Sequence, residues 1–223
     1  MTSALEIRID KKRYSGGRKP ILVLEGIEIS VETGSFVAIT GPSGCGKTTL
    51  LNIVAGLDRD FVGHIAFGVR EPRLAYVFQT PRLLPWRTVL ENVTLAMPPH
   101  EIDVARIREL LVRVGLGEAI DVYPERLSLG MQRRVALARA FALAPNILLM
   151  DEPFVSLDER TAQNLRALLI DLCRLRPTTV LFVTHNTAEA AALSTRILRL
   201  CALPARIVQD MDNRRSAGQQ SVA

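Results

Sequence analysis

Three observations predict an α/β fold with a parallel central sheet. Residues 147–150 and 179–184 form short runs that are almost wholly apolar, as strands covered on both faces are. Residues 159–174 lie between them and carry helical periodicity, which makes a strand–helix–strand unit. A glycine-rich loop over residues 41–48 follows another apolar run and opens a helix, the connection found at the carboxyl edge of such sheets.

Ahead of that loop, residues 5–9, 21–24, 27–31 and 36–40 read as strands, rich in β-branched residues and separated by turn glycines. They predict an N-terminal antiparallel β subdomain. A helix is expected over residues 48–55 and a strand over 74–78, after which Pro81 and Pro85 interrupt regular structure. From about Thr88 to Ala144 the pattern is helical, with apolar residues at helical spacing over 104–114 and arginines on the opposite face. An α-helical subdomain of residues 84–144 is therefore inserted into an α/β core, within one domain spanning 1–211. Residues 212–223 are small and polar and read as a disordered tail.

A chain of 223 residues with 48% apolar and 23% charged residues has the balance of a globular domain with a sizeable core. No apolar run approaches the roughly 20 residues that cross a bilayer, and the first residues lack a basic-then-apolar signal. The expectation is a cytoplasmic protein that meets a membrane only through a partner. Cys45, Cys173 and Cys201 are odd in number and lack metal-ligand spacing, so they read as reduced thiols. The net charge of +5 is scattered and has no interleaved aromatic patch, which argues for solvated surface and phosphate ligands over nucleic acid. His64 and His100 have no acidic or histidine partner at useful spacing and are assigned no chemistry.

Three segments carry chemistry. Gly41-Pro42-Ser43-Gly44-Cys45-Gly46-Lys47-Thr48 fits G-x-x-x-x-G-K-[ST]. In that pattern glycines let successive N–H groups face a nucleotide's phosphates, the lysine reaches the β/γ oxygens and the threonine holds Mg²⁺. Cys45 occupies a variable position, so its thiol reads as a passenger. Ile147-Leu148-Leu149-Met150-Asp151-Glu152 is an apolar strand ending in two carboxylates. At a sheet edge beside the loop, Asp151 suits a hydrated Mg²⁺ and Glu152 suits the water that attacks the γ-phosphate. Leu127-Ser128-Leu129-Gly130-Met131 runs into a basic, alanine-rich helix. A small hydroxyl and a glycine at a helix mouth favour a second phosphate, because free N–H groups and the helix dipole attract an anion.

Two phosphate-reading helix ends in one chain resemble the ATP-binding cassette (ABC) ATPases. Further pieces match that family's order. Gln79 stands where a glutamine contacts Mg²⁺ and water and senses the transporter, and Ser156-Leu157-Asp158 matches the loop that crosses the dimer interface. His185 matches the histidine on the γ-phosphate, followed by Asn186 in place of the usual aspartate and then by Glu189 and Ala190. Tyr14 is the candidate adenine-stacking aromatic, the alternative being an ordinary surface tyrosine, and Thr49 extends the phosphate loop's contacts. Val77-Phe78-Gln79, Leu83-Leu84-Pro85-Trp86 and Val89-Leu90-Glu91-Asn92-Val93 are similar to the ATPases of nitrate-, sulfonate- and taurine-type importers. An exposed Trp86 flanked by Leu and Pro would be a rigid apolar anchor for a partner's helix, the alternative being a Trp86 buried in the helical subdomain.

The resemblance implies a P-loop NTPase (RecA-like) core and an ATPase that uses ATP and Mg²⁺. It implies a head-to-tail dimer of two copies, each phosphate loop facing the other's Ser128 and Gly130. Permease subunits at the inner face of the membrane are the implied partners, with an extracytoplasmic solute-binding protein acting indirectly and no nucleic acid. Leu129 stands where the family has glycine, and Arg133 where its signature helix has glutamine. These two departures keep open a low-turnover regulatory subunit. A cassette acting on nucleic acid is the third reading, though long coiled coils and a second cassette are missing from the sequence.

Overall fold

The computed structural model describes residues 3–15 and 19–214. The chain opens with two long strands, β1 (Ser3–Tyr14) and β2 (Ile21–Glu32). β2 is one strand where the sequence suggested two pieces. Gly26 reads as a turn residue, yet Ile9 pairs with Ile27 and Lys11 with Glu25 across it, so the ladder runs through. β3 (Phe36–Thr40) leads through the phosphate loop into α1 (Lys47–Val54), and β4 (Val62–Phe67) returns to pair with β1. β1, β2 and β4 form an antiparallel sheet of order β2-β1-β4.

β5 (Leu74–Val77) precedes the helical insertion, which holds α2 (Val89–Thr94), α3 (Val104–Arg113) and α4 (Leu129–Ala142) joined by one-turn 3₁₀ segments. The core then continues with β6 (Ile147–Asp151), α5 (Glu159–Leu175), β7 (Thr179–Thr184), α6 (Thr187–Leu193), β8 (Arg196–Leu200) and β9 (Ile207–Asp212). The main sheet has the order β5-β6-β7-β3-β8-β9, parallel except for the last pair. The region read as a tail starts too early, because Asp212 ends β9 and pairs with Arg196. Asn213 Nδ2 donates to Ala191 O at 2.9 Å and Ser194 O at 2.7 Å, and Arg214 Nη2 donates to Glu32 Oε2 at 2.7 Å. Residues 215–223 of that tail lie outside the described residues.

Every residue of β6 and β7 is buried, as their composition predicts. Because side chains alternate across a strand, the sheet divides two apolar cores. Ala38, Leu148, Met150, Val180 and Phe182 join α4, α5 and the helical insertion on one face. Val37, Ile39, Leu149, Leu181 and Val183 join α1, β1 and β2 on the other. The carboxyl ends of β3, β6 and β7 thus stand side by side on a rigid wall. No described helix is long and apolar enough to cross a membrane.

Candidate active site

The phosphate loop joins β3 to α1 through Gly44 at φ +75° and Gly46 at φ +109°, left-handed backbone that a residue without a β-carbon takes without strain. At Gly46 a β-carbon would also lie 2.8 Å from Val23 Cγ1, so the loop is seated directly on β2. Cys45 is buried in the core beside α1, which turns its thiol away from the loop's open side and leaves only its backbone there. Lys47, nearly buried, folds its side chain across the loop, and Nζ donates to Gly41 O and Pro42 O at 2.9 Å each. Those carbonyls hold the ammonium where a phosphate would receive it.

Thr48 Oγ1 donates to Asp151 Oδ1 at 3.1 Å. A hydroxyl on α1 and a carboxylate at the end of β6 thereby meet, and both are the hard oxygen donors that Mg²⁺ prefers. Burial pushes the Asp151 carboxyl above the usual aspartate range, the neighbouring Glu152 adds to this, and the Thr48 hydrogen bond, Lys47 and Arg82 oppose it. Glu152 is the next residue, at φ +43°, an uncommon backbone for a side chain of its size. Its N–H donates to Val183 O at 3.0 Å, and its Oε2 lies 3.1 Å from His185 Nδ1. The twist sends Glu152 toward the end of β7 while Asp151 stays on Thr48. Asn186, the departure noted after His185, caps α6 by accepting from the N–H groups of Ala188 and Glu189, so the amide supports the helix that follows the histidine.

Gln79 is exposed just beyond β5, whose Val77 pairs with Met150, so it stands at the same sheet edge as Glu152. Arg82, three residues further on, was not singled out by the sequence reading. Its guanidinium lies 3.7 Å from the Phe78 ring centroid and its charge reaches Asp151. A lone arginine between Gln79 and the Leu-Leu-Pro-Trp run was the available signal. Tyr14 is at the rim beside α1, with its hydroxyl donating to Asp58 Oδ2 at 2.9 Å and lying 3.4 Å from Thr49 Oγ1, and with Lys12 Nζ 4.4 Å from its ring centroid.

Ser128, Gly130 and Asp158 gather elsewhere, where α4 and α5 begin. Ser128 caps α4 by accepting from Met131 N–H at 3.3 Å, and Asp158 caps α5 by accepting from Thr161 N–H at 2.9 Å. A β-carbon on Gly130 would lie 2.8 Å from Thr161 Cγ2, so the two helix mouths meet through this glycine. Leu129 is the first residue of α4 and is not among the described residues with left-handed backbone. Its β-carbon therefore meets no backbone restriction, and the side chain is exposed. Trp86 is 68% exposed, which places it outside the helical core.

The family described as ABC transporter matches residues 24–155. The chain belongs to the ABC transporter family. This ABC cassette is 41% identical to the aliphatic sulfonates import ATP-binding protein SsuB 1 of Pseudomonas savastanoi pv. phaseolicola, over 94% of the chain and 85% of that protein. It is also 41% identical to SsuB of Bacillus licheniformis, over 92% of the chain and 82% of that protein. Among solved structures it resembles a dimeric post-hydrolysis state of the ATP-binding cassette MJ0796 bound to ADP and Pi. That likeness has a TM-score of 0.82 and 31% identity, and covers 94% of this chain and 99% of the other. The α/β P-loop NTPase fold expected of an ABC cassette is the fold observed.

Proposed function

We propose that this chain is the ATP-hydrolysing subunit of an ABC importer for a small anionic solute of the sulfonate type, acting as a head-to-tail homodimer on membrane permease subunits. The observation that carries this reading is the convergence of Lys47, the Thr48–Asp151 pair and the Glu152–His185 pair at one sheet edge. The sulfonate class and the importer rest on the named relatives, and the dimer rests on the dimeric cassette that the fold resembles. The chain is peripheral on the inner face of the membrane in this reading, and a solute-binding protein outside delivers the cargo to the permease.

ATP binds in the loop from Gly41 through Pro42, Ser43, Gly44, Cys45 and Gly46 to Lys47, Thr48 and Thr49, with its phosphates on the N–H groups that follow Pro42, which itself has none. Tyr14 stacks on the adenine. Lys47 exchanges its two loop carbonyls for the β/γ oxygens. The Thr48 hydroxyl, the Asp151 carboxylate and Gln79 are the oxygen donors that fit Mg²⁺, which when bound neutralises charge on the phosphates. Glu152 orients a water and takes its proton as the water oxygen attacks the γ-phosphorus and ADP leaves. His185 holds the Glu152 carboxylate on one side and meets the γ-phosphate on the other. The mouth of α4, with Ser128 and Gly130 of the partner subunit, closes on that phosphate, and the loop to Asp158 crosses the interface. ATP thus favours the closed dimer, and hydrolysis releases it.

Glu152→Gln tests the reading. The amide keeps the shape but accepts no proton, so hydrolysis falls at least about 100-fold while ATP binding persists and the variant elutes as a dimer with ATP. Hydrolysis at the parental rate removes Glu152 from its role, and a monomer at saturating ATP removes the dimer.

A further inference from the structure

Arg133 lies on the second turn of α4 and is 4% exposed, and it touches none of the groups placed on ATP. Its Nη2 donates to Val155 O at 3.2 Å, while Nε and Nη1 have no partner among the described residues. The surroundings are apolar, with Val77, Leu137, Met150, Phe154 and Leu165 around a gap of about 10 Å³ that holds one water at most. A buried cation with two idle donors is costly. A neutral apolar side chain of similar length would fill the same space, so packing alone gives no reason for a guanidinium.

The single bond it makes falls at a telling place. Val155 sits between Glu152 at φ +43° and Ser156 at φ +63°, two non-glycine residues in left-handed backbone. Val155 N–H donates back to Glu152 O at only 3.3 Å, and Leu157 N–H to Phe154 O at 3.4 Å, so the segment's own bonds are long. Strained backbone persists only when its surroundings over-determine it. The same helix ends with a second grip of this kind, where Arg139 donates to Pro81 O at 2.7 Å and Arg82 O at 2.9 Å in the loop after Gln79.

We propose that Arg133 is a positioning residue for hydrolysis, which ties the helix bearing Ser128 to the strained turn that aims Glu152. The charge-assisted bond to Val155 O holds residues 152–156 in the conformation that directs Glu152 at His185. It also couples the two sites of a dimer, because the mouth of α4 reads the partner's nucleotide while its second turn holds this chain's base. The proposal deepens the ATPase reading above and rests on it.

The test compares the full purified chain with Arg133→Met and Arg133→Leu, which have no donor, and Arg133→Lys, which keeps a long cationic donor. Met or Leu is expected to lower kcat about tenfold, with KM for ATP within twofold of the parent and Tm equal to or above it. Amide hydrogen exchange should rise over residues 152–158 and not along α4. Lys is expected to restore kcat to within about threefold. If either Met or Leu folds and retains the parental kcat, the positioning role is overturned. It is equally overturned if kcat and KM change together with exchange along the whole of α4. A parent chain that does not hydrolyse ATP overturns the functional reading itself, which separates the two failures.

Discussion

Glu152 and His185 meet across the ends of two neighbouring strands, with Oε2 and Nδ1 3.1 Å apart. The contact exists because β6 and β7 run parallel and in register, with Asp151 opposite Val183. Glu152 and His185 are each the first residue beyond the end of their strand. His185 thus turns Nδ1 to the carboxylate and leaves Nε2 on the other side of the ring.

His185→Ala is accordingly expected to lower kcat about 100-fold, with KM for ATP changed by less than threefold. Steady-state ATPase assays decide it. An unchanged kcat would mean that Glu152 is aimed without the histidine.

Asn92 is fully buried and spends its whole amide on one loop. Its Oδ1 accepts from Leu84 N–H at 2.8 Å, and its Nδ2 donates to Leu84 O, Arg87 O and Thr88 O at 3.1, 2.9 and 2.9 Å. These bonds hold the turn that presents Trp86. Asn92→Ala takes the side-chain partner from Leu84 N–H and Arg87 O, while Leu84 O keeps Arg87 N–H and Thr88 O keeps the residue 92 N–H, and it is expected to cost about 2 kcal/mol of stability. Trp86 is the only tryptophan of the chain, so its fluorescence anisotropy reports the loop directly. A drop in anisotropy with little change in ATPase activity is the expected result.

Leu129 has ordinary helical backbone and an exposed side chain at the mouth of α4. Leu129→Gly is expected to change kcat by less than threefold and to cost about 0.5–1 kcal/mol. A tenfold rise in kcat would instead favour the low-turnover regulatory subunit, with Leu129 as the residue that crowds the partner's phosphate.

Lys12 is 2% exposed and is held by Asp58 Oδ1 at 2.8 Å and Asp60 O at 2.6 Å. Burial works against both charges, but their hydrogen bond and attraction prevail, which raises Lys12 and lowers Asp58 from their usual ranges. Because Asp58 is depressed on folding, its contribution is present above the unfolded pKa, near 3.9, and is lost as pH falls through the folded value. Asp58→Asn is expected to cost about 2 kcal/mol at neutral pH. The gap from the parent should close below about pH 4, as urea unfolding across pH 3–7 would show. A gap independent of pH would assign the loss to packing.

The sequence makes legible what is contiguous. Phosphate loop, paired carboxylates and signature segment each occupy a few adjacent residues, and the buried strands β3, β6 and β7 advertise themselves by apolar runs with polar residues only at their ends. β4 went unread because most of its residues stay exposed and Gly63 and His64 interrupt its apolar pattern. The ends β8 and β9 and the short α6 carry equally weak signals. Of the site, the Glu152–His185 contact and the aim of Arg82 toward Asp151 depend on strand register and on a left-handed turn, which composition does not encode. Asn186 and Leu129 looked like departures and prove locally ordinary, one a helix cap and the other a first-turn residue.

Because the central sheet parts two cores, neighbours along one strand are strangers in packing. Leu148 answers to the helical insertion and Leu149 to the β subdomain, although one peptide bond joins them. Substitutions at such adjacent positions share no side-chain partners, so their effects add like those of distant sites. Evolution can therefore re-tailor the packing of the helical insertion and the packing behind the phosphate loop independently, within the same five-residue strand.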